Sequence, residues 1–217
     1  MPFPPIKFGD ASKLKKGQIV LALGNPYAIA RDGEASASWG IVANIHRKAG
    51  PEKGAALRDM KKTIHHFGTL IQTDARLNLG TSGGALLNLQ GEMVGLTTSQ
   101  AAVAGFEQAA GYAIPIDDLF LRIVDMMKQG KTGDYGLLGV TTDALRPEER
   151  AGGMRGVRIT MVRNGTPAER AQLFQGDIIT QVAGKPIDDV DSLMLEIGRQ
   201  PAGATTSVAV ERDGRLF

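Results

Sequence analysis

The 217-residue sequence contains no cysteine, which excludes disulfide scaffolds, thiol nucleophiles and zinc sites built on thiolates. It has only three histidines, enough for at most one all-histidine metal site. No carboxylate pair stands at helical spacing with them, so no metal is expected. No uncharged stretch approaches the roughly 20 apolar residues that cross a bilayer, and the opening MPFPPIKFGD lacks the charged head and apolar centre of a signal peptide. No membrane segment is therefore expected in this chain. An excess of one charge sign is also missing. The 25 Lys+Arg and 23 Asp+Glu residues leave a formal net charge of +2, without the basic stripe that holds a phosphate backbone, so nucleic acid is not an expected partner.

Glycine is abundant, with 28 in 217 residues, nearly twice the usual share of about 7%. Many tight turns follow. Over residues 1–116, short runs of β-favouring residues are separated by Gly, Pro, Asn and Asp at the spacing of an all-β barrel or sandwich. Six strands are expected: Gln18–Leu23, Trp39–His46, Gly68–Thr73, Ala85–Leu89, Met93–Thr98 and Gly111–Ile114. The polar stretch from Arg47 to His66 reads as a solvated loop. After Pro115 the period changes, with Asp117 as N-cap and Leu119, Phe120, Ile123, Val124 and Met127 on one face of a helix ending at Gly130. Polar residues Lys131–Tyr135 read as a linker. From Gly136 on, strands Val157–Val162, Ile178–Val182 and Ser207–Arg212 alternate with helices Pro167–Leu173 and Val190–Arg199, a second, mixed α+β domain. Asp213-Gly214 reads as a hairpin tip with only Arg215, Leu216 and Phe217 to return, so an unpaired strand edge is expected there.

Gly80-Thr81-Ser82-Gly83-Gly84 is the most informative stretch. A serine flanked by glycines between two strands can hold its hydroxyl outward while bare backbone amides point into one cavity, and such amides stabilise the oxyanion of acyl transfer by about 3 kcal/mol each. On its own the motif also fits a plain glycine-rich hairpin. Its neighbours are Ile71-Gln72-Thr73-Asp74-Ala75 and Asn78 before it, then Ala85-Leu86-Leu87-Asn88-Leu89, Gly91-Glu92-Met93-Val94-Gly95 and Gly111-Tyr112-Ala113-Ile114-Pro115. Further upstream stand Leu21-Ala22-Leu23-Gly24-Asn25-Pro26-Tyr27 and Gly40-Ile41-Val42.

In this order and spacing the blocks resemble the HtrA (DegP-like) branch of the chymotrypsin-fold serine proteases. The resemblance implies a mainly β fold: a six-stranded antiparallel barrel over residues 1–131, equivalent to the C-terminal half of a trypsin-like fold with its closing helix 117–130, then a PDZ domain, residues 132–217, C-terminally incomplete. It implies Ser82 as the acylating nucleophile and the backbone around Gly80, Thr81 and Ser82 as the oxyanion hole. Thr81 stands where the family usually has Asn, and Leu79 and Ala85 where it has Pro. Arg76, six residues before the serine, occupies the position facing the primary specificity pocket in the wider fold and reads either as a solvated surface residue or as a preference for acidic side chains.

A serine hydroxyl needs a histidine to take its proton and a carboxylate to orient that histidine. In the family both lie upstream of the segment matching Pro5 to Gly24. His46, His65 and His66 read as surface or loop residues, and the chain alone is expected to be inactive, since losing the base costs about 10⁶-fold in kcat. A bare apolar surface where the first barrel belongs predicts self-association.

Gly136-Leu137-Leu138-Gly139-Val140, Gly165-Thr166-Pro167-Ala168 and Gly176-Asp177-Ile178-Ile179 are similar to the family's PDZ module. By resemblance, the amides of Leu137, Leu138 and Gly139 take a peptide carboxylate and Val140 starts the strand to which the peptide adds. The implied partners are polypeptide substrates and C-terminal peptides, with a homo-oligomer possible, no cofactor, and a periplasmic or other extracytoplasmic location. The alternative is a non-catalytic paralogue that binds peptides or regulates through its PDZ groove.

Overall fold

The structure, a computed structural model, describes residues 4–29, 31–32, 34–47, 69–78, 80–98 and 111–217. Most of the polar stretch after Arg47, with His65 and His66, lies outside these residues, as does Leu79. The chain divides into two compact units, residues 1–132 and 133–217.

The first unit is a closed barrel of six antiparallel strands, β1 (Ile19–Gly24), β2 (Ser36–Arg47), β3 (Leu70–Thr73), β4 (Ala85–Leu87), β5 (Met93–Thr98) and β6 (Gly111–Pro115), in the order β1-β2-β3-β6-β5-β4. Alternation drives it. Val20, Ala22, Val42, Ile71, Leu86, Val94 and Ala113 point inward and are buried together, as the two-residue period of a half-buried strand requires. The outer face of β1, β2 and β4 carries the in-register row Leu87, Leu21 and Trp39, with Ile19 opposite Ile41. Trp39 there is 72% exposed.

β2 starts three residues earlier than its sequence suggests. Ser36, Ala37 and Ser38 have little β propensity, but they pair with Gly24, Leu23 and Ala22, and cross-strand pairing overrides local preference. The N-terminal arm lies along the barrel, with Met93 N–H donating to the Lys7 carbonyl and Gly9 N–H to that of Met93. Phe8 packs edge-on to Phe120 of the helix Asp118–Lys128. Asp117 caps that helix by accepting from Phe120 N–H at 3.0 Å.

The second unit is a six-stranded sheet. Strands β7 (Val140–Ala144), β8 (Val157–Val162), β9 (Ile178–Val182), β11 (Val208–Arg212) and β12 (Arg215–Leu216) run in the order β12-β11-β9-β8-β7, and β10 (Lys185–Pro186) pairs with β9. Helices Pro147–Ala151, Pro167–Arg170 and Val190–Arg199 complete it. The core gathers Val157, Ile159, Ile179, Val182, Ile187 and Val210 from around the sheet with Ala168, Leu193 and Ile197 from the helices. One expectation is corrected here. The edge of β11 is not left bare, because Asp213 and Gly214 both adopt positive φ, the geometry of a tight hairpin turn. Residues 215–217 then pair back, with Phe217 and Val210 exchanging both backbone hydrogen bonds. The helix expected over Pro167–Leu173 ends at Arg170, since Gln172 sits at φ 54.

Candidate functional site

Ser82 lies in the turn between Gly80 and β4 and is exposed. The turn is built on its neighbour. Thr81 is buried, and both its N–H (3.1 Å) and its hydroxyl (2.6 Å) donate to the Asn78 carbonyl. The Thr81 carbonyl in turn accepts from Gly84 N–H and from the buried Thr97 hydroxyl. Every polar group of Thr81 is thereby committed to holding the loop. Glycines make the path possible: Gly80 and Gly83 flank the pair at φ 92 and 85, a region costly to other L-residues.

The loop is fastened on both sides. Toward β5, Gly83 N–H donates to the Thr97 carbonyl and Thr97 N–H to that of Gly84. Toward β1, a side chain on Gly24 would meet Thr81 at 3.1 Å, and one on Gly84 would collide with the Leu23 carbonyl oxygen. Among the described residues, neither the Gly80 nor the Ser82 amide has a backbone acceptor, and no hydrogen bond engages the Ser82 hydroxyl. An open groove of about 330 Å³ adjoins the loop, lined by Leu23, Gly24, Asn25, Glu34, Ala35, Gly84 and Ala85. Arg76, exposed before the loop, is held through its carbonyl, which accepts from the Ser38 hydroxyl at 3.0 Å.

No described histidine is brought to Ser82. His46 is exposed near the end of β2, ten residues beyond the Ser36 that pairs with Gly24 beside the loop, a run of roughly 30 Å along a strand. Among the described residues no three His, Cys, Asp or Glu side chains converge as a metal site would require.

In the second unit the stretch Leu137–Gly139 leads into β7, the edge strand of its sheet. Its carbonyls turn inward, Leu138 accepting from Ala168 N–H (2.9 Å) and Gly139 from Arg163 N–H (3.0 Å). Among the described residues the amides of Leu137, Leu138 and Gly139 make no backbone hydrogen bond. Gly139 has φ 89, and a side chain there would run into that of Thr166. Leu137 is exposed and Leu138 buried. The sequence signal for these braces lay in Gly165-Thr166-Pro167-Ala168. Thr97, sixteen residues from Thr81, carries no such signal.

The trypsin-like peptidase domain family matches residues 1–96 and the PDZ domain family residues 136–216. Curated relatives include the periplasmic serine endoprotease DegP of Escherichia coli (strain K12), 32% identical over 213 residues, which are 97% of this chain and 42% of the relative. The probable periplasmic serine protease do/HhoA-like of Haemophilus influenzae is 30% identical over 214 residues, with the same shares. The chain thus spans less than half the length of these proteins. Among solved structures, the HtrA-type protease AlgW with decapeptide superimposes with a TM-score of 0.68 at 28% identity, covering 99% of this chain and 62% of that one. With a closed six-stranded barrel and a PDZ domain in one polypeptide, the chain belongs to the DegP/HtrA family of trypsin-like serine proteases.

Proposed function

We propose that this chain supplies the nucleophile and the peptide-docking module of an HtrA-like endopeptidase that cleaves unfolded or exposed polypeptide outside the cytoplasm. Ser82 attacks the scissile carbonyl, and the amides of Gly80 and Ser82 receive the oxyanion. Thr81, whose own amide is taken by Asn78, is the rigid spacer between them. The observation that carries this reading is an exposed serine on a turn whose buried neighbour spends all its hydrogen bonds fixing the backbone. Preorganised donors of this kind cost no rearrangement when charge develops. Leu137, Leu138 and Gly139 receive a peptide carboxylate, and the peptide adds to the free side of β7, continuing from Val140.

The 217-residue polypeptide by itself turns over peptides at or near background, since among the described residues no histidine is brought to the Ser82 hydroxyl to accept its proton. Hydrolysis of a casein-type substrate, with and without Ser82→Ala, tests this, and robust turnover abolished by Ser82→Ala would refute it. Replacing the matching segment of the full-length Escherichia coli relative with this chain is expected to make Ser82 reactive toward a fluorophosphonate. A folded chimera that stays unlabelled would favour the non-catalytic, peptide-binding alternative.

A further inference from the structure

Of the asparagines in the sequence only Asn164 precedes a glycine, and the pair sits in an exposed turn between β8 and the helix Pro167–Arg170. We propose that Asn164 is a site of spontaneous deamidation and isomerisation, restrained by Glu169, whose product loosens the loop Leu137–Gly139. The reaction needs only water. The Gly165 amide nitrogen, giving up its proton, bonds to Asn164 Cγ, and the Cγ–Nδ2 bond breaks. Nδ2 leaves with that proton as ammonia, and a cyclic imide remains. Water then opens the imide at either carbonyl, giving aspartate or the β-linked isoaspartate. A following glycine favours closure because it has no side chain to crowd the attacking nitrogen.

The folded turn opposes the first step. Gly165 N–H donates to Glu169 Oε2 at 2.7 Å, and the Gly165 carbonyl accepts from Arg170 Nη1 at 3.1 Å. Cyclisation must break a hydrogen bond to a carboxylate and develop negative charge on the nitrogen beside it. Both penalties are removed if the Glu169 side chain is lost.

The turn also lies between the braces of the loop. Arg163 N–H holds the Gly139 carbonyl, Ala168 N–H holds that of Leu138, and the Thr166 hydroxyl donates to the Arg163 carbonyl at 2.6 Å. Isoaspartate at 164 inserts a methylene into the main chain between Arg163 and Ala168, so the two braces can no longer keep their spacing. Weaker capture of peptide carboxylates follows, a consequence that rests on the peptide-docking reading above.

The test is ageing of the purified 217-residue protein in mildly alkaline buffer. It is followed by isoelectric focusing, peptide mapping and methyl labelling with an isoaspartyl methyltransferase. The wild-type protein is expected to accumulate an acidic form mapping to residue 164, and Glu169→Ala to do so about tenfold faster, the factor set by a charged hydrogen bond near the lower end of its range. Glu169→Gln, which keeps an acceptor without the charge, falls between them, and Asn164→Gln stays unmodified there. Equal rates in wild type and Glu169→Ala, or acidic forms mapping only elsewhere, would overturn the restraint. Hydrogen exchange at the Arg163 and Ala168 amides reads the loosening without any peptide. Unchanged protection in isomerised protein would overturn that half of the proposal. Faster exchange with unaltered peptide affinity would instead count against Leu137–Gly139 as the docking loop.

Discussion

The two glycine-bearing loops, 80–84 in the barrel and 137–139 in the sheet unit, are held in opposite ways. In the first, a single buried residue, Thr81, is tied to Asn78, Gly84 and Thr97 by neutral hydrogen bonds. In the second, loop carbonyls lean on a separate segment, through Arg163 and Ala168. That segment is anchored in turn by a buried charge. Leu173 N–H donates to the Ala168 carbonyl, and a few residues on Asp177, 1% exposed, accepts from Phe174 N–H and from both Nε and Nη2 of Arg212. The Arg212 guanidinium also lies over the Phe174 ring, 4.6 Å from its centre. The loop 137–139 is thus braced within its own unit, with an electrostatic pin behind it, whereas the serine loop is braced by the hydrogen bonds of one buried residue.

Removing the pin should produce the largest effect. Arg212→Ala strands a buried carboxylate and is expected to destabilise the sheet unit by about 3–5 kcal/mol. The barrel, reported separately by the fluorescence of Trp39, the sole tryptophan, should be untouched. Acid gives the sign. Burial alone raises the Asp177 pKa, but the hydrogen bonds from Arg212 and Phe174 and the Arg212 charge outweigh it and hold the carboxyl below its ordinary value. Its stabilisation is therefore present above the unfolded value of about 3.9 and is lost as pH falls through the lower folded value. In Arg212→Ala only the Phe174 N–H remains against burial, so this loss on acidification should shrink or reverse. An unchanged acid limb in unfolding monitored by NMR of the sheet unit would break the comparison.

Close approach distinguishes the loops next. Gly84→Ala drives a methyl into the Leu23 carbonyl, backbone against backbone, and should cost about 3 kcal/mol of barrel stability. Gly83→Ala faces open space at φ 85 and should cost only about 1 kcal/mol, both read by urea unfolding of Trp39 fluorescence. In the other loop, Gly139→Ala meets a side chain instead, that of Thr166, and should cost about 2 kcal/mol. Adding Thr166→Ala ought to recover part of this, leaving the pair less destabilised than the sum of its members. Strict additivity would mean that Thr166 does not brace the loop.

These supports were unevenly legible in the sequence. The strand Met93–Thr98 and the helix Val190–Arg199 have the same limits in sequence and structure, because each carries a clear period of its own. The start of β2 and the short strand β12 did not show, since Ser36-Ala37-Ser38 and Arg215-Leu216 become strands only through their partners. The helix Pro147–Ala151 stands outside the elements the sequence predicts, although Pro147 and the two glutamates after it are ordinary first-turn residues. Around the serine, the motif pointed to Ser82 and its glycines but not to Thr97, whose hydroxyl reaches Thr81 across sixteen residues of chain. The burial of Asp177 likewise depends on Arg212, thirty-five residues away, a separation no local pattern encodes.

The smallest expected effect is the most discriminating for the serine loop. Ser82 is exposed, and its hydroxyl has no hydrogen-bond partner among the described residues, while Thr81 beside it has every polar group occupied. Ser82→Ala should therefore change barrel stability by no more than about 0.5 kcal/mol. Thr97→Val, which removes one of the two donors to the Thr81 carbonyl and leaves Gly84 N–H in place, should cost about 1 kcal/mol in the same urea titration. The contrast separates a hydroxyl with no structural duty from one used in construction. If Ser82→Ala cost as much as Thr97→Val, the serine would be part of the scaffold, and a side chain already committed to holding the turn would not be free to attack a carbonyl.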